Sequence, residues 1–347
     1  MKEFDIKITP EILRLIAGID EFKGQWKALG NLAHERLNAL KKIATVESVG
    51  SSTRIEGAKL TDSEVEQLLT GIKIGTFHSR DEEEIAGYAE AMSLVFGSFK
   101  EIPVTENHIK QLHDIILQFS SKDVRHRGEY KKLSNNVEAF DRDGISLGVI
   151  FETATPFDTP QEMTALVEWT ATNLNEEELH PLLIIAVFIV CFLAIHPFQD
   201  GNGRLSRVLT TLLLLQSGYA YVPYYSLESI IEHNKDKYYL ALRTTQKTLK
   251  ADGSKLDAWI LFFLHSLKKQ KDSLAKKIER EKIMINLPAL SEQILSIIKE
   301  HGRATISDIE VTTGANRNTI KVRLRELVTD GLLVKHGKGK GTWYTQG

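Results

Sequence analysis

The sequence holds a single cysteine, Cys191, so no intramolecular disulfide can form and nothing points to an oxidising compartment. A zinc cluster built on thiolates is excluded with it. Charge of one sign is not in surplus either: 44 Lys and Arg stand against 46 Asp and Glu, for a formal net charge of -2. Such a chain has no global attraction to nucleic acid or to an acidic membrane, so any contact with a polyanion must be local. Long apolar runs are missing. The most apolar stretch, LLIIAVFIVCFLAI from Leu182 to Ile195, falls short of the about 20 residues that span a bilayer and reads as a helix buried on all sides. The opening MKEFDIKITPEILRLIAG interleaves charges with apolar residues and lacks the apolar core and cleavage site of a signal peptide. A cytoplasmic protein without membrane contact is expected. No internal repeat or low-complexity tract is present.

What the chain does have is helical periodicity. Apolar residues at Ile12, Leu13, Leu15, Ile16, Ile19 and Phe22 mark one helical face between Pro10 and Leu29. Thr61-Asp62-Ser63-Glu64 is a helix start, in which the threonine caps and the glutamate reaches back. Further helices are expected over Asp81–Phe99, Thr105–Phe119, Pro160–Asn173 and Ser229–Lys250. Between Tyr130 and Phe157, Val137, Ile145, Val149 and Ile150 sit among Asn, Gly, Asp and Pro, a composition that suits an extended loop or short hairpin. The fold class is therefore mainly α. Length suggests two or three domains, with a boundary near Pro288 where a charged helical connector ends.

Chemistry concentrates in HPFQDGNGRLSR, His196 to Arg207. Gly201-Asn202-Gly203 lies at the start of a second helix, where unpaired N–H groups and the helix dipole favour an anion. Glycine lets that backbone approach phosphate oxygens. Arg204 and Arg207, three residues apart, add guanidinium forks suited to phosphate. Asp200 offers a hard oxygen of the kind Mg²⁺ takes alongside substrate phosphates, and His196 can accept a proton from a hydroxyl at neutral pH. A dinucleotide-binding βαβ unit is excluded because an apolar helix precedes the glycines, and a P-loop because no Gly-Lys-Ser/Thr follows. The combination points to transfer of a phosphorus-centred group.

The twelve residues resemble the Fic family signature at every fixed position. HPLL (His180 to Leu183), VRHRGEY (Val124 to Tyr130) and IIEHNKDKYY (Ile230 to Tyr239) are similar to Fic segments as well, and the likeness covers roughly residues 1 to 270. The resemblance implies a Fic-type helical core with a β-hairpin flap that transfers AMP from ATP to a Ser, Thr or Tyr hydroxyl of a protein. His196 is then the base and Asp200 the Mg²⁺ ligand. Gly201, Asn202 and Gly203 are the anion hole, Arg204 and Arg207 hold the β and γ phosphates, and Asn234 and Tyr239 face the nucleoside. The flap, around Ile145 to Thr155, aligns the target by strand addition. Removal of AMP, or transfer of another nucleotide moiety, stays open as an alternative.

A second stretch, SSTRIEG, resembles the inhibitory motif of the Fic class with an N-terminal inhibitory helix, through Ser52, Glu56 and Gly57. There Glu56 is expected to pair with Arg207 in a bidentate way, so that ATP binds in a pose unfit for attack. The implied organisation is an N-terminal helical region with the inhibitory motif (1–100), the Fic core (101–270), a linker helix (271–288) and a C-terminal module (289–347). That module reads as three helices and a hairpin and resembles a winged-helix domain. Arg317, Lys321 and Arg325 line one face of its third helix, and Lys335, Lys338 and Lys340 sit near its turn. DNA is one partner this face would meet, and another protein is the alternative, since winged helices also serve as protein-contact modules. A nucleotide-sensing DNA-binding regulator is the reading from another functional class. A second copy of the chain, as a homodimer, completes the expected partners.

Overall fold

A computed structural model describes residues 4, 6–28, 34–71, 77–140, 146–249, 255–285 and 287–347. Leu29, Ile145 and Lys250, which bound segments expected from the sequence, lie outside the described residues. The chain divides into two compact units, Met1–Asp272 and Ser273–Gly347.

The first unit is helical apart from one hairpin. In chain order it runs α1 (Pro10–Ala28), α2 (His34–Ile55), α3 (Asp62–Gly71), α4 (Arg80–Ser98) and α5 (Glu106–Ile116). The hairpin β1 (Val137–Phe140) and β2 (Ser146–Phe151) follows, then α6 (Thr159–Glu176), α7 (Pro181–Ile195), α8 (Asn202–Gln216), α9 (Leu227–Glu232) and α10 (Lys235–Leu249). Helix α11 (Asp257–Ile285) spans the division between the units.

The core is built on α7 and α8. Pro181 occupies the first turn of α7, where its missing N–H costs nothing, and His180 caps the helix by accepting the Leu182 N–H at 3.3 Å. Apart from Pro181 and Ala194, every residue of α7 is buried. Each buried Leu, Ile or Phe there contributes about 1.5–3 kcal/mol by leaving water, so packing alone fixes this helix. Its carbonyls are covered from outside as well, as where Trp259 Nε1–H donates to Ala186 O at 2.7 Å.

The Thr61–Glu64 start forms as expected, with Thr61 N–H donating to Glu64 Oε2 at 2.8 Å and Glu64 N–H to Thr61 Oγ1 at 3.4 Å. One expectation changes. The single helix expected over Ser229–Lys250 is broken into α9 and α10 at His233 and Asn234. Asn234 makes the break, because its Nδ2 donates back to Ile230 O at 2.7 Å while its carbonyl accepts the Tyr238 N–H at 3.0 Å and starts α10. Helix α2 ends at Ile55, where the chain turns through Glu56 into Gly57 at φ +111, a left-handed conformation that favours glycine. Arg54 anchors that end, pairing with both carboxylate oxygens of Glu232 at 2.7 and 3.0 Å and with Asp62 at 2.9 Å.

The second unit contains α12 (Ala289–His301), β3 (Ala304–Thr305), α13 (Ile306–Thr313), α14 (Arg317–Thr329), β4 (Leu333–His336) and β5 (Trp343–Gln346). Ile294, Ile298, Ile309, Ile320, Leu324, Leu327, Leu333 and Tyr344 form its core. The sheet is antiparallel in the order β3-β5-β4. The short β3 was not legible in the sequence, since it is only two residues long and merges into the Thr305/Asp308 capping box of α13.

Candidate functional site

Helix α7 ends at His196, which adopts φ +53 and caps Phe192 O through its backbone N–H at 2.9 Å. A left-handed non-glycine residue costs on the order of 1 kcal/mol. Here it turns the imidazole into a cleft of about 1240 Å³ lined by His196, Asp200 to Arg204, Glu56, Arg80 and residues of α10. Nδ1 of His196 lies 3.3 Å from Leu193 O. A carbonyl only accepts, so Nδ1 carries the proton and Nε2 keeps its lone pair. Desolvation pushes the imidazole down to about 4. It is therefore neutral at pH 7, in the form that takes a proton.

The loop from Phe198 to Asn202 closes on itself. Asn202 Oδ1 accepts the Phe198 N–H at 2.9 Å, and its Nδ2 donates to Phe198 O at 2.7 Å. The Asn202 side chain thus shapes the loop, while its backbone belongs to the first turn of α8. Gly201 stands at φ +76 as the cap of α8. His113, on α5, holds this corner from below. Its Nε2 lies 2.9 Å from Asp200 O, its Nδ1 accepts the Gly128 N–H at 2.9 Å, and its ring stacks on Phe198 at 3.8 Å. Desolvation pushes His113 down to about 4, which keeps it neutral and consistent with one donor and one acceptor nitrogen.

Both signature arginines are buried. Arg204 is 2% exposed, its Nη1 lies 3.4 Å from Glu84 Oε2, and its Nε and Nη1 make no hydrogen bond. Buried guanidinium N–H groups without partners are costly and mark a place for an anionic oxygen. Arg207 Nε donates to Ser52 Oγ at 2.8 Å, and its Nη2 donates to Ser52 O at 2.9 Å and to Glu56 Oε1 at 2.8 Å. Desolvation is the largest single influence on Arg207 and opposes its charge, but Glu56, Tyr238 and Tyr88 together outweigh it and raise the pKa.

The bidentate pair expected between Glu56 and Arg207 is single-pronged: Ser52 takes Nε and shares Nη2 with Glu56, and the buried Nη1 makes no hydrogen bond. Glu56 also presses on the start of α8. A Cβ on Gly203 would stand 2.2 Å from Glu56 Oε1, so a larger residue at this position would push the carboxylate from its present place.

Asp200 offers two oxygens. Oδ1 accepts the Gly201 N–H at 2.6 Å and faces Arg204 Nη2 at 3.7 Å. Oδ2 accepts from Arg80 Nη2 at 2.8 Å. Desolvation raises its pKa, but the charge of Arg204, the Gly201 N–H and Arg80 together hold the carboxyl below the usual range. Among the described residues no group of three or more His, Cys, Asp or Glu could hold a metal by itself. One hard carboxylate oxygen beside an anion cradle nevertheless fits a cation that also binds phosphates.

Behind His196 the flap is anchored to the loop. Lys131 Nζ donates to Asn135 Oδ1 at 2.8 Å, to Thr153 Oγ1 at 2.9 Å and to Ile195 O at 2.9 Å. Asn135 Nδ2 donates to Phe198 O at 2.5 Å. The hairpin forms as expected, with Val137 opposite Phe151 and Glu138 opposite Val149. Tyr239 lines the cleft, whereas Asn234 is not among its lining residues, because its side chain is spent on the α9 carboxyl end.

In the second unit Arg317, Lys321 and Arg325 are exposed along α14, and Arg317 pairs with Glu310 at 2.7 Å. Lys335 and Lys338 are exposed, while the Lys340 side chain lies outside those described. Sequence reasoning missed Arg80, Glu84, His113, Lys131 and Asn135. Only His113 left a signal: it shares the apolar face of α5 with Ile109, Leu112 and Ile116.

A helical core that delivers a histidine and an anion-binding helix start from consecutive helices, beneath an anchored hairpin, is the Fic fold. The chain carries a Fic domain, and residues 103–214 match the model of the Fic/DOC family. Over 241 residues the chain is 27% identical to protein adenylyltransferase Fic of Drosophila virilis, covering 69% of this chain and 45% of that protein. The chain thus spans about half the length of the curated relatives it matches. A Fic domain containing signaling protein from Bacteroides thetaiotaomicron is similar at TM-score 0.61 and 28% identity, over 76% of this chain and 97% of that one. A Fic family protein from Desulfovibrio desulfuricans shares the fold at TM-score 0.63 and 21% identity, over 100% and 98% of the two chains. Residues 275–345 match a family described as a bacterial protein of unknown function.

Proposed function

We propose that this chain transfers AMP from ATP to a hydroxyl group of a protein and that Glu56 holds the reaction back. The observation that carries the reading is one cleft lined by His196 with its free Nε2, the first turn of α8, and Arg204, whose buried Nε and Nη1 make no hydrogen bond. The names of the curated relatives support the same reaction.

The first-turn amides of α8 and Arg204 bind the phosphates and orient the chain in line. His196 Nε2 takes the proton of a Ser, Thr or Tyr hydroxyl as its oxygen attacks the α-phosphorus. A phosphorus–oxygen bond forms to the target, the bond to the β-phosphate breaks, and pyrophosphate leaves. Mg²⁺ held on Asp200 would offset charge on the phosphates. The flap presents a free strand edge on which a target segment can pair. Glu56 competes for Arg207, leaving the γ-phosphate without its cation.

The test is incubation of wild-type, Glu56→Gly and His196→Ala proteins with Mg²⁺ and ATP labelled at the α or the γ position. Label on protein from the α position alone, stronger in Glu56→Gly and absent in His196→Ala, is expected. Label from the γ position, or none in Glu56→Gly, overturns the reading. The second unit is a winged helix in this view, with the exposed cations of α14 facing a nucleic-acid backbone.

A further inference from the structure

The Asp200 carboxylate is already engaged. Arg80 starts α4, which Ser79 caps by accepting the Glu82 N–H, and its guanidinium is gripped from two sides. Nε donates to Glu84 Oε1 at 2.8 Å, one helical turn along, and Nη2 donates to Asp200 Oδ2 at 2.8 Å. Glu84 in turn faces Arg204 at 3.4 Å, and Arg204 faces the other Asp200 oxygen at 3.7 Å. Arg80, Glu84, Arg204 and Asp200 therefore form a closed ring of alternating charge at the mouth of the phosphate cradle.

Of the two Asp200 oxygens, Oδ1 is taken up by the Gly201 amide of its own loop. Oδ2 is the oxygen left for a divalent cation, which sits about 2.0–2.1 Å from a carboxylate oxygen when it is Mg²⁺. A cation on the second lone pair of Oδ2 would stand about 4 Å from the guanidinium nitrogen that already bonds this oxygen at 2.8 Å, a pair of like charges. The two therefore compete for Asp200. Arg80 is half exposed and keeps Glu84 as a partner, so it can leave without stranding its charge.

We propose that Arg80 is a gatekeeper of the cation site: it stands in for the metal at Asp200 and competes with it when metal-bound nucleotide seats. The proposal rests on the nucleotide-transferase reading above and adds a positioning residue to it. Two consequences have opposite sign. Without metal, Arg80 screens Asp200 from the phosphates and supports nucleotide binding. With metal, it competes and weakens binding.

The experiment is calorimetric titration of ATP into the full chain in the Glu56→Gly background, where Arg207 is free, in EDTA and in saturating Mg²⁺. The readout is the factor by which Mg²⁺ tightens ATP binding. In Arg80→Gln, whose amide can still bond Glu84, ATP binding in EDTA weakens, and binding in Mg²⁺ is unchanged or tighter. The Mg²⁺ factor rises by up to about fivefold, the worth of a half-exposed ion pair. Equal weakening in both buffers, or an unchanged factor, overturns the proposal. Arg80→Lys keeps the charge and loses the fork, so its factor falls between those of the parent and Arg80→Gln; a value at or below the parent also overturns it. A parent that binds no ATP in either buffer refutes the nucleotide reading instead.

Discussion

Replacing Glu56 by glycine tests the competition at Arg207 directly. The Arg207 side chain is 4% exposed and that of Glu56 is 35% exposed, so their 2.8 Å contact is a charge-assisted hydrogen bond on the edge of the interior. Such a bond is worth about 1.5–3 kcal/mol, and the exposure of Glu56 puts this one toward the lower end, about 1.5–2 kcal/mol. A phosphate that claims Arg207 must first break it. Glu56→Gly removes that cost, so ATP·Mg²⁺ is expected to bind about 10- to 30-fold more tightly than to wild type. Ser52 still holds Nε and Nη2, which keeps the guanidinium in place while it waits for the ligand. The nucleotide-free variant pays for an uncompensated buried charge and melts earlier, so ATP·Mg²⁺ raises its melting temperature more than that of wild type. Calorimetric titration of the two proteins at fixed Mg²⁺ gives the ratio. Affinities within about twofold of each other would refute the argument that Glu56 and phosphate contend for one cation.

Three further outcomes follow from single residues. His113 titrates near 4 in the folded chain against 6.5 for an unperturbed histidine, so the unfolded chain binds the extra proton first as pH falls. The stability that neutral His113 supplies is complete above about pH 6.5 and lost on the way down to about pH 4, an amount near 3 kcal/mol. Denaturant unfolding of His113→Gln should be less pH-dependent than wild type by about that amount, and parallel pH profiles would dismiss the assignment. In the second unit, Lys321→Ala is expected to lower the salt dependence of binding to a random duplex by about one unit of log–log slope. Arg317→Ala should lower it less, since Arg317 is already paired with Glu310. A wild-type chain that ignores duplex DNA at low salt removes this role altogether.

Several features were readable because their causes are local. The break between α7 and α8 follows from Asp200, Gly201 and Asn202 in succession, and the anion cradle follows from glycines at a helix start. The Thr61–Glu64 cap and the hairpin between β1 and β2 depend on residues a few positions apart. Asn234 shows where local reasoning stops. The apolar pattern ran through it, and only the bond from its amide to Ile230 O reveals that it ends one helix and begins another.

By itself the sequence determined the chemical inventory: a histidine, a carboxylate and two glycines where one apolar helix gives way to the next, two arginines at the start of that next helix, and a glutamate upstream. Spacing along one chain segment fixes which of these lie together, because helix and turn geometry reach only a few residues. Tertiary structure decided what each charge faces. Ser52 and Glu56 meet Arg207 across 155 and 151 residues of chain, Arg80 meets Asp200 across 120, and His113 supports the same loop across 87. Those pairings depend on how α2, α4 and α5 pack on α8. Packing is settled by the mutual burial of whole helix faces, which no local pattern encodes.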